Sequence, residues 1–334
     1  MLARPTGRQT NLLLAVLVVT TVITGVISWA VGTGEVRVVT AVHGIAGFAI
    51  VVLTPVKLRT SVRTGMRRGR MTRWLSIAFG LLVITVVALG VLHSTGLWFG
   101  VGYWSALWTH TLLGFVLLPL FAWHLLSRPV RPRATDLDRR AVLVAGSTAA
   151  VATVAYGAQE LVIRATGLAG GDRRATGSHE IASFDPTRMP TVSWIDDSTP
   201  TTPPEEWELR IGGRIIDLDQ LRTMARPLDA VLDCTGGWWS EQRWDVVPVA
   251  EVLSLDTASF SVRSATGYAR RFPASDAADV HLAVGYGGGP LRRGHGAPVR
   301  IVAPGRRGPW WVKWVTEVEP DDRPWWFQLP FPAT

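Results

Sequence analysis

Five long apolar stretches constrain more than any other feature what this chain can fold into. They run approximately from Leu12 to Val31, Val36 to Val56, Trp74 to Leu92, Tyr103 to Leu126 and Ala141 to Ile163. A helix of about 20 apolar residues is long enough to cross the hydrocarbon core of a bilayer. The sequence therefore predicts a multi-pass bundle of five membrane helices. Because four spans follow the first, we do not expect that one to be a cleaved secretory signal.

Charge is distributed unevenly along the chain, and its distribution predicts the orientation of the spans. Residues 1–165 carry 16 Lys and Arg against 4 Asp and Glu, out of 34 and 26 in the whole chain. The basic residues concentrate in the segments Lys57–Arg73 and Ser127–Arg140. Because positively charged loops remain cytoplasmic, we expect a cytoplasmic N-terminus in the cell membrane. Five spans then place the C-terminal domain on the extracytoplasmic side.

The overall charge does not indicate a nucleic-acid partner. A formal net charge of +8 would ordinarily raise that possibility, but here the basic residues lie between apolar spans. We therefore expect membrane lipid, and not nucleic acid, to surround this half of the chain. A single cysteine excludes an internal disulfide, and a hydrophobic content of 48% excludes a disordered chain.

Beyond the fifth span the pattern changes to short β-rich runs separated by turns. Strands are predicted at Trp207–Ile211, Asp229–Leu232, Ser259–Arg263, His281–Val284, Val299–Val302 and Trp310–Glu319, and helices at Leu218–Met224 and Val249–Leu253. This pattern predicts an α+β domain large enough for its own core. We divide the chain into a four-helix membrane domain at 1–135, a fifth transmembrane helix at 136–165 and an extracytoplasmic domain at 166–334.

Four of the seven histidines lie in or at the ends of the predicted spans, namely His43, His93, His110 and His124. A single membrane histidine often forms a hydrogen bond between helices, which is one interpretation of each. Spacing favours another, because residues 110 and 124 lie on one face of a helix, roughly 21 Å apart. That separation suits two haems, one near each surface of a four-helix bundle.

An internal repeat supports the haem interpretation. The first copy contains Thr24-Gly25-Val26-Ile27 followed by His43-Gly44-Ile45-Ala46-Gly47-Phe48, and the second contains Leu89-Gly90-Val91-Leu92 followed by His110-Thr111-Leu112-Leu113-Gly114-Phe115. His43 and His110 occupy equivalent positions near the outer surface. They are a candidate bis-imidazole ligand pair, and Gly47 and Gly114 would leave room for the flat macrocycle.

The inner half of the bundle departs from the repeat, because Lys57 stands where a counterpart of His124 would be needed. Lys57 could bind a second iron or extend to cytoplasmic phosphates, so one haem is predicted and a second is left open. His93 is an alternative outer ligand or a propionate contact. The pattern over residues 12–126 resembles the four-helix b-type cytochromes that anchor respiratory oxidoreductases. This resemblance implies haem b and electron exchange with quinone or quinol; the alternative is an anchor without haem.

An arginine pair, Arg139-Arg140, stands directly before the fifth span. With the following Ala, Val and Leu it resembles a twin-arginine export signal, which is used by domains that fold around a cofactor before crossing the membrane. Asp138 replaces the usual Ser or Thr of that signal. The alternative is an ordinary cytoplasmic arginine pair that obeys the positive-inside rule.

The only cysteine, Cys234, lies between an apolar run and a Gly-Gly turn. A lone cysteine is commonly an inert buried thiol, but an unpaired thiol in an exported domain also suits metal ligation. The residues around it resemble the sulfite oxidase-like molybdopterin domain from about residue 176 to the end of the chain. The resemblance is carried by Trp207–Gly213, Cys234, Trp244, Pro248–Leu253, His295–Gly305 and Val312–Val315.

That resemblance implies a molybdenum ion held by one pterin dithiolene and by the Cys234 thiolate. It further implies that several residues contact the pterin or its phosphate. They are His295, Arg300, Lys313, Ser264 and the backbone around Trp311 and Val312. The residue types in this stretch also indicate a phosphate site, because it contains four cations, Arg300, Arg306, Arg307 and Lys313, around Gly305 and Gly308. Cationic side chains beside turn amides form a receptor for phosphate.

The residues after the cysteine bear on the substrate. Sulfite-oxidising relatives present an arginine there, whereas this chain has Gly236, Gly237, Trp238 and Trp239. An aromatic pocket fits a neutral sulfoxide or N-oxide. We therefore expect a membrane-bound oxidoreductase that passes electrons from quinol through haem to molybdenum and takes an oxygen atom from such a substrate. The alternatives are oxidation of sulfite, with Arg243, Arg270 or Arg271 entering the pocket, and a non-catalytic docking or sensing domain.

Overall fold

The computed structural model describes residues 5–67, 72–101, 104–127, 138–194, 197–201 and 207–329, together with Val130, Arg133 and Asp136. Outside these residues lie parts of the two predicted basic segments, Tyr103 and part of the Pro-rich sequence before Trp207. The chain divides into two compact units. The first comprises Met1–Trp29 and Gly34–His179, and the second comprises Ala30–Thr33 and Glu180–Thr334.

The first unit is helical, and its helices match the five predicted spans. They are α1 (Gly7–Ala30), α2 (Val36–Arg67), α3 (Thr72–Thr95), α4 (Ala106–Ser127) and α5 (Arg139–Ala165), with a short hairpin of β1 (Gly100–Val101) and β2 (Trp104–Ser105) before α4. Among the described residues, these five helices are long and apolar enough to cross a membrane. The prediction of five long apolar helices is thus confirmed, and these helices are consistent with a multi-pass membrane protein. Helix α2 runs beyond the predicted end of its span at Val56.

The second unit contains two sheets and two short helices. The elements are β3 (His179–Glu180), at which the unit begins, β4 (Leu209–Ile211), β5 (Arg214–Ile216), α6 (Leu218–Met224), β6 (Arg226–Cys234), β7 (Trp238–Pro248), α7 (Val249–Val252), β8 (Ser259–Ser264), β9 (Ala269–Pro273), β10 (His281–Tyr286), β11 (Gly289–Pro290), β12 (Arg300–Val302) and β13 (Val315–Asp321). One sheet has the order β11-β10-β7-β3, with β6 paired to β7 and β12 to β10. The other has the order β5-β4-β13-β8-β9, in which β4 and β13 are parallel. The predicted α+β domain is confirmed in this form.

A long hairpin of β6 and β7 positions the cysteine. Its two strands are antiparallel, and Cys234 pairs directly with Trp238 across the turn. Gly237 in that turn has φ +93°, a conformation that favours glycine. The hairpin packs on a core in which Trp244, Phe260 and Leu282 have no exposed surface. Cys234 is therefore held at the end of a rigid element by a tight turn.

The structure corrects two details of the predicted strands. The run Trp310–Glu319 is not one strand, because a 3₁₀ turn occupies Gly308–Trp310 and β13 begins only at Val315. Trp314 has a positive φ of 52°, which is incompatible with a continuous strand. Strand β7 was missed because its inward face carries Ser240 and Gln242, whose side chains are buried and hydrogen-bonded to each other.

Candidate functional site

Cys234 lies in a cleft of the second unit, beside the turn of the β6–β7 hairpin. Its side chain is 9% exposed, and its Sγ accepts a hydrogen bond from the Gly236 amide at 3.3 Å. Burial raises the pKa of the thiol, while the Gly236 amide and the nearby Arg307 and Lys313 oppose that rise. A thiolate here thus requires a stronger positive partner, and a metal ion provides one.

Three basic side chains predicted to bind the cofactor line the same cleft. They are His295, Arg300 and Lys313. The Arg300 guanidinium donates to the backbone carbonyls of His295 at 2.9 Å and Trp311 at 3.3 Å. Burial lowers the pKa of Arg300 to about 10. Burial, together with the neighbouring Arg300, lowers the pKa of Lys313 to about 7 and that of His295 to about 4.

The basic cluster shares its cleft with the carboxylate of Asp197, which opposes the lowering of the Lys313 pKa. Among the described residues, no Asp or Glu oxygen lies within ion-pair distance of Arg300 or Lys313. The Arg300 guanidinium lies over the rings of Trp244 and Trp311, at 5.2 and 5.6 Å from their centroids. Burying a charge without a partner is costly. The cluster is therefore suited to bind an anionic group beside the thiol.

A segment from Met189 to Trp194, which was not predicted to be part of the site, lines part of the cleft. Thr191 Oγ1 is hydrogen-bonded to His295 Nε2 at 2.8 Å, and Lys313 Nζ donates to the carbonyl of Val192 at 2.9 Å. Tyr286 Oη is hydrogen-bonded to the other ring nitrogen of His295 at 2.6 Å. This segment has no regular secondary structure, so no periodicity of its residues could have indicated its position.

The other residues predicted for the cofactor divide between two cavities. Trp311 and Val312 line the cleft with Cys234, whereas Ser264 lines a separate cavity with Trp207 and Trp314. The structure therefore brings together the predicted cofactor residues except Ser264. Ser264 lies at the end of β8, where its hydroxyl is hydrogen-bonded to Thr266 at 3.0 Å.

The three arginines considered as possible anion ligands do not line the Cys234 cleft. Arg243 forms an exposed ion pair with Asp229 across the hairpin at 2.8 Å. Arg270 donates to the backbone carbonyl of Leu329, and Arg271 pairs with Asp321 at 2.8 Å. In this structure, each of the three thus has a partner outside the Cys234 cleft.

A buried ion pair supports the backbone of Cys234. Arg307 and Asp233 are almost fully buried, and their side chains lie 3.4 Å apart. Arg307 also donates to the carbonyl of Cys234 at 2.9 Å. From the sequence, Arg307 was predicted to be one of the cations that bind phosphate. In the structure, its guanidinium instead supports the turn that carries the thiol.

We expect Arg307→Ala to destabilise the second unit by about 3–5 kcal/mol, because it leaves the Asp233 carboxylate buried without its partner. The free energy of unfolding is measured by denaturant titration of the purified protein. Arg243→Ala is the matched control, since it breaks an exposed ion pair on the same hairpin and exposed pairs contribute little. Equal effects of the two substitutions would show that Arg307 does not support the turn.

The imidazole rings of His43 and His110, both in the first unit, are packed edge to face. The ring centroids of His43 and His110 are 6.0 Å apart. Nδ1 of His43 donates to the carbonyl of Thr21 at 3.0 Å, and Nδ1 of His110 donates to that of Val86 at 2.7 Å. These carbonyls occupy equivalent positions of the repeat, four residues before Gly25 and Gly90. Each histidine is thus oriented by the helix that precedes its own in the same copy of the repeat. This contact leaves Nε2 as the nitrogen available for a ligand.

Space lies beside both histidines where the repeat places glycine. A side chain at Gly47 or Gly114 would meet no atom within 4 Å. By contrast, a Cβ at Gly25 or Gly90 would lie 3.2 or 3.3 Å from the imidazole it faces. The two pairs of glycines therefore have different roles: one pair admits the histidine rings, and the other leaves open space on the same helices as the histidines.

The remaining candidate ligands of the first unit have different surroundings. His93 donates from Nε2 to the carbonyl of Gly177 at 2.9 Å, and its ring lies 4.9 Å from that of His179. His124 stacks on Phe79 at 6.0 Å. Lys57 donates to the side chain of Asn11 at 2.6 Å. Each therefore has a structural contact that does not require a metal.

Comparison with known proteins identifies the class of the second unit. Residues 196–326 match the family model described as the oxidoreductase molybdopterin binding domain. The chain thus contains a molybdopterin-binding oxidoreductase domain, following a helical region with five apolar helices.

Among solved structures, the chain is similar to the sulfane dehydrogenase SoxCD from Paracoccus pantotrophus. The identity is 24% over 37% of this chain and 40% of that chain, with a TM-score of 0.34. The chain therefore matches two fifths of the length of that protein. No curated protein matches the chain.

Proposed function

We propose that this chain is a membrane-bound molybdenum oxidoreductase that passes electrons between quinone, haem b and a molybdenum centre, and that reduces a sulfoxide or N-oxide. The observation that supports it best is the cleft of the second unit, which a buried thiol shares with Lys313 and with the buried Arg300. The Arg300 guanidinium donates to backbone carbonyls and forms no ion pair among the described residues. A molybdopterin carries a dithiolene for the metal and a phosphate for the cations. The donor set of the cleft therefore fits this cofactor.

In this proposal, Cys234 provides the only protein ligand of the molybdenum. The dithiolene of the pterin would provide two further sulfur ligands. Arg300, Lys313 and His295 would bind the anionic part of the cofactor. When bound, the molybdenum supplies two-electron oxygen-atom transfer.

The protein itself orients the cofactor and limits access of water. Arg307 and Asp233 fix the turn that carries the thiol, and the Gly236 amide donates to Sγ. The segment Met189–Trp194 covers part of the cleft through its contacts with His295 and Lys313. These contacts leave the side facing Trp238 for the substrate. With Arg300 assigned to the cofactor, a substrate side formed by indole and glycine favours a neutral oxide over sulfite.

We propose that His43 and His110 bind one haem b. Two imidazoles that share a metal through bonds of about 2 Å have ring centroids about 6 Å apart, and the observed centroids are 6.0 Å apart. The backbone acceptors at Nδ1 orient both rings for binding through Nε2. When bound, the haem supplies one-electron transfer. A second haem at His124 and Lys57, or a ligand role for His93, finds no support in their contacts.

The remaining parts of the proposal concern the membrane. We propose a cytoplasmic N-terminus, five spans in the cell membrane and an extracytoplasmic catalytic domain, on the evidence of loop charge. Export of that domain after folding is consistent with a signal at Arg139-Arg140. The domain divisions at 135/136 and 165/166 follow from the same interpretation.

The function is tested by the redox state of the haem in membranes reduced with quinol. Methionine sulfoxide or trimethylamine N-oxide should reoxidise the haem, and the thioether or amine should accumulate in equal amount to the quinol consumed. Membranes from cells grown with tungstate in place of molybdate provide the control. Reduction of an oxidised haem by sulfite, with no response to the oxides, would favour the alternative direction of oxidation. Protein without molybdenum from a cofactor-competent host would favour a docking or sensing domain.

A further inference from the structure

The indole of Trp238 has an N–H group that is buried and unpaired. Its Nε1 lies below the surface and donates to no group among the described residues. The side chain is 7% exposed and lines the same cleft as Cys234. A buried donor without an acceptor destabilises the folded state, so such donors usually have a partner. An unpaired N–H directed into a cleft therefore indicates that a ligand supplies the acceptor.

Other tryptophans of the second unit show the contrast. Four of them donate their N–H to a backbone carbonyl, at distances from 2.7 to 3.1 Å. They are Trp207, Trp244, Trp311 and Trp314. These four indoles are satisfied within the protein, whereas the N–H of Trp238 is buried at the candidate active site without an acceptor among the described residues.

The indole nitrogen and the thiol border one small space. A Cβ at Gly236 would lie 3.5 Å from Cys234 Sγ and 3.6 Å from Trp238 Nε1. The two atoms can therefore be no farther apart than the sum of these distances. Their residues face each other across the antiparallel hairpin, so the arrangement is fixed by strand register. A small molecule beside the thiol would lie within reach of the indole N–H.

We infer that the Trp238 N–H donates a hydrogen bond to the oxygen atom of the substrate, a sulfoxide or N-oxide, next to Cys234. The inference rests on the proposed function and assigns a residue to substrate recognition. An oxide oxygen is a strong acceptor, whereas a thioether sulfur is a weak one. The same N–H would therefore bind the oxidised substrate and favour release of the reduced product. Trp238 is a specificity-determining residue in this assignment.

The test compares ligand binding to the molybdenum-loaded protein and its variants. Isothermal titration calorimetry measures binding of dimethyl sulfone, which carries oxygen acceptors, and of dimethyl sulfide, which carries none. Trp238→Phe keeps an aromatic ring but removes the N–H. We expect it to weaken sulfone binding about tenfold and to leave sulfide binding unchanged. Trp239→Phe is the matched control, because alternation along the strand places residue 239 on the opposite face.

Equal sulfone affinity in wild type and Trp238→Phe would overturn the inference, as would an equal loss of affinity for sulfone and sulfide. If Trp238→Phe does not retain molybdenum, the variant Gly236→Ala tests the inference in its place. Its methyl group would lie at ordinary contact distance from both Sγ and Nε1 and would cover the N–H. Selective loss of sulfone binding in Gly236→Ala supports the inference, and unchanged selectivity refutes it. The molybdenum content of the wild type tests the proposed function separately.

Discussion

Replacing Cys234 by serine should lower oxide reduction by at least about 1,000-fold. A serine hydroxyl is a hard, weakly acidic ligand, whereas molybdenum is held by soft thiolates. We also expect the purified variant to lose most of its molybdenum, measured by inductively coupled plasma mass spectrometry. Because the substitution changes one buried atom, the far-ultraviolet circular dichroism of the protein should remain that of the wild type.

The haem spectrum serves as an internal control for this variant. Quinol should still reduce the haem of Cys234→Ser in membranes, and the oxide should fail to reoxidise it. Oxide reduction that survives at the wild-type rate would contradict the role of Cys234 as the metal ligand. It would then leave the buried thiol as a packing residue of the hairpin end.

The second large effect is expected from His110→Ala. Loss of one axial ligand should remove the absorption band of the bis-imidazole haem, and quinol-driven oxide reduction should fall by at least about 100-fold. Turnover with reduced methyl viologen, which can donate to the molybdenum domain directly, should be retained. Visible spectra of the oxidised and reduced protein and the two assays measure these effects. His43→Ala should behave in the same way.

A pair of glycine variants separates haem binding from damage to a helix. Gly114→Leu fills the space proposed for the macrocycle, and Gly146→Leu introduces the same side chain on α5, where it also meets no atom within 4 Å. Only Gly114→Leu should reduce haem content. An unchanged spectrum in both His110→Ala and Gly114→Leu would show that the helical unit is an anchor without haem at this position.

Much of the helical unit follows from simple properties of the sequence. Runs of about 20 apolar residues predict long helices, and the five observed helices confirm this prediction. The ends of the helices are less predictable. Basic residues are good helix formers, and they extend α2 to Arg67, beyond its apolar part. The repeat correctly placed His43 and His110 beside each other, but it could not indicate the backbone carbonyls that orient their rings.

The second unit was predictable where strands have an apolar pattern and less so elsewhere. Helix α6 was predicted at its observed bounds, whereas β7 was missed because Ser240 and Gln242 are buried polar residues. In the site, resemblance to a family indicated Cys234, His295, Arg300 and Lys313. The support from Arg307 and the covering segment depends on contacts between distant parts of the chain, which the local sequence does not encode.

The hairpin that carries Cys234 has a consequence for how the domain can change in evolution. Nine consecutive cross-strand pairs, from Arg226 with Val246 to Cys234 with Trp238, fix its register. Side chains alternate between the two faces of a strand, so an insertion or deletion of one residue within β6 would turn the thiol to the opposite face. The strand can therefore vary in residue type but not in length, and in the turn the positive φ of Gly237 favours glycine. Substrate range in this architecture can thus diversify by substitution at the turn while the metal ligand remains in place.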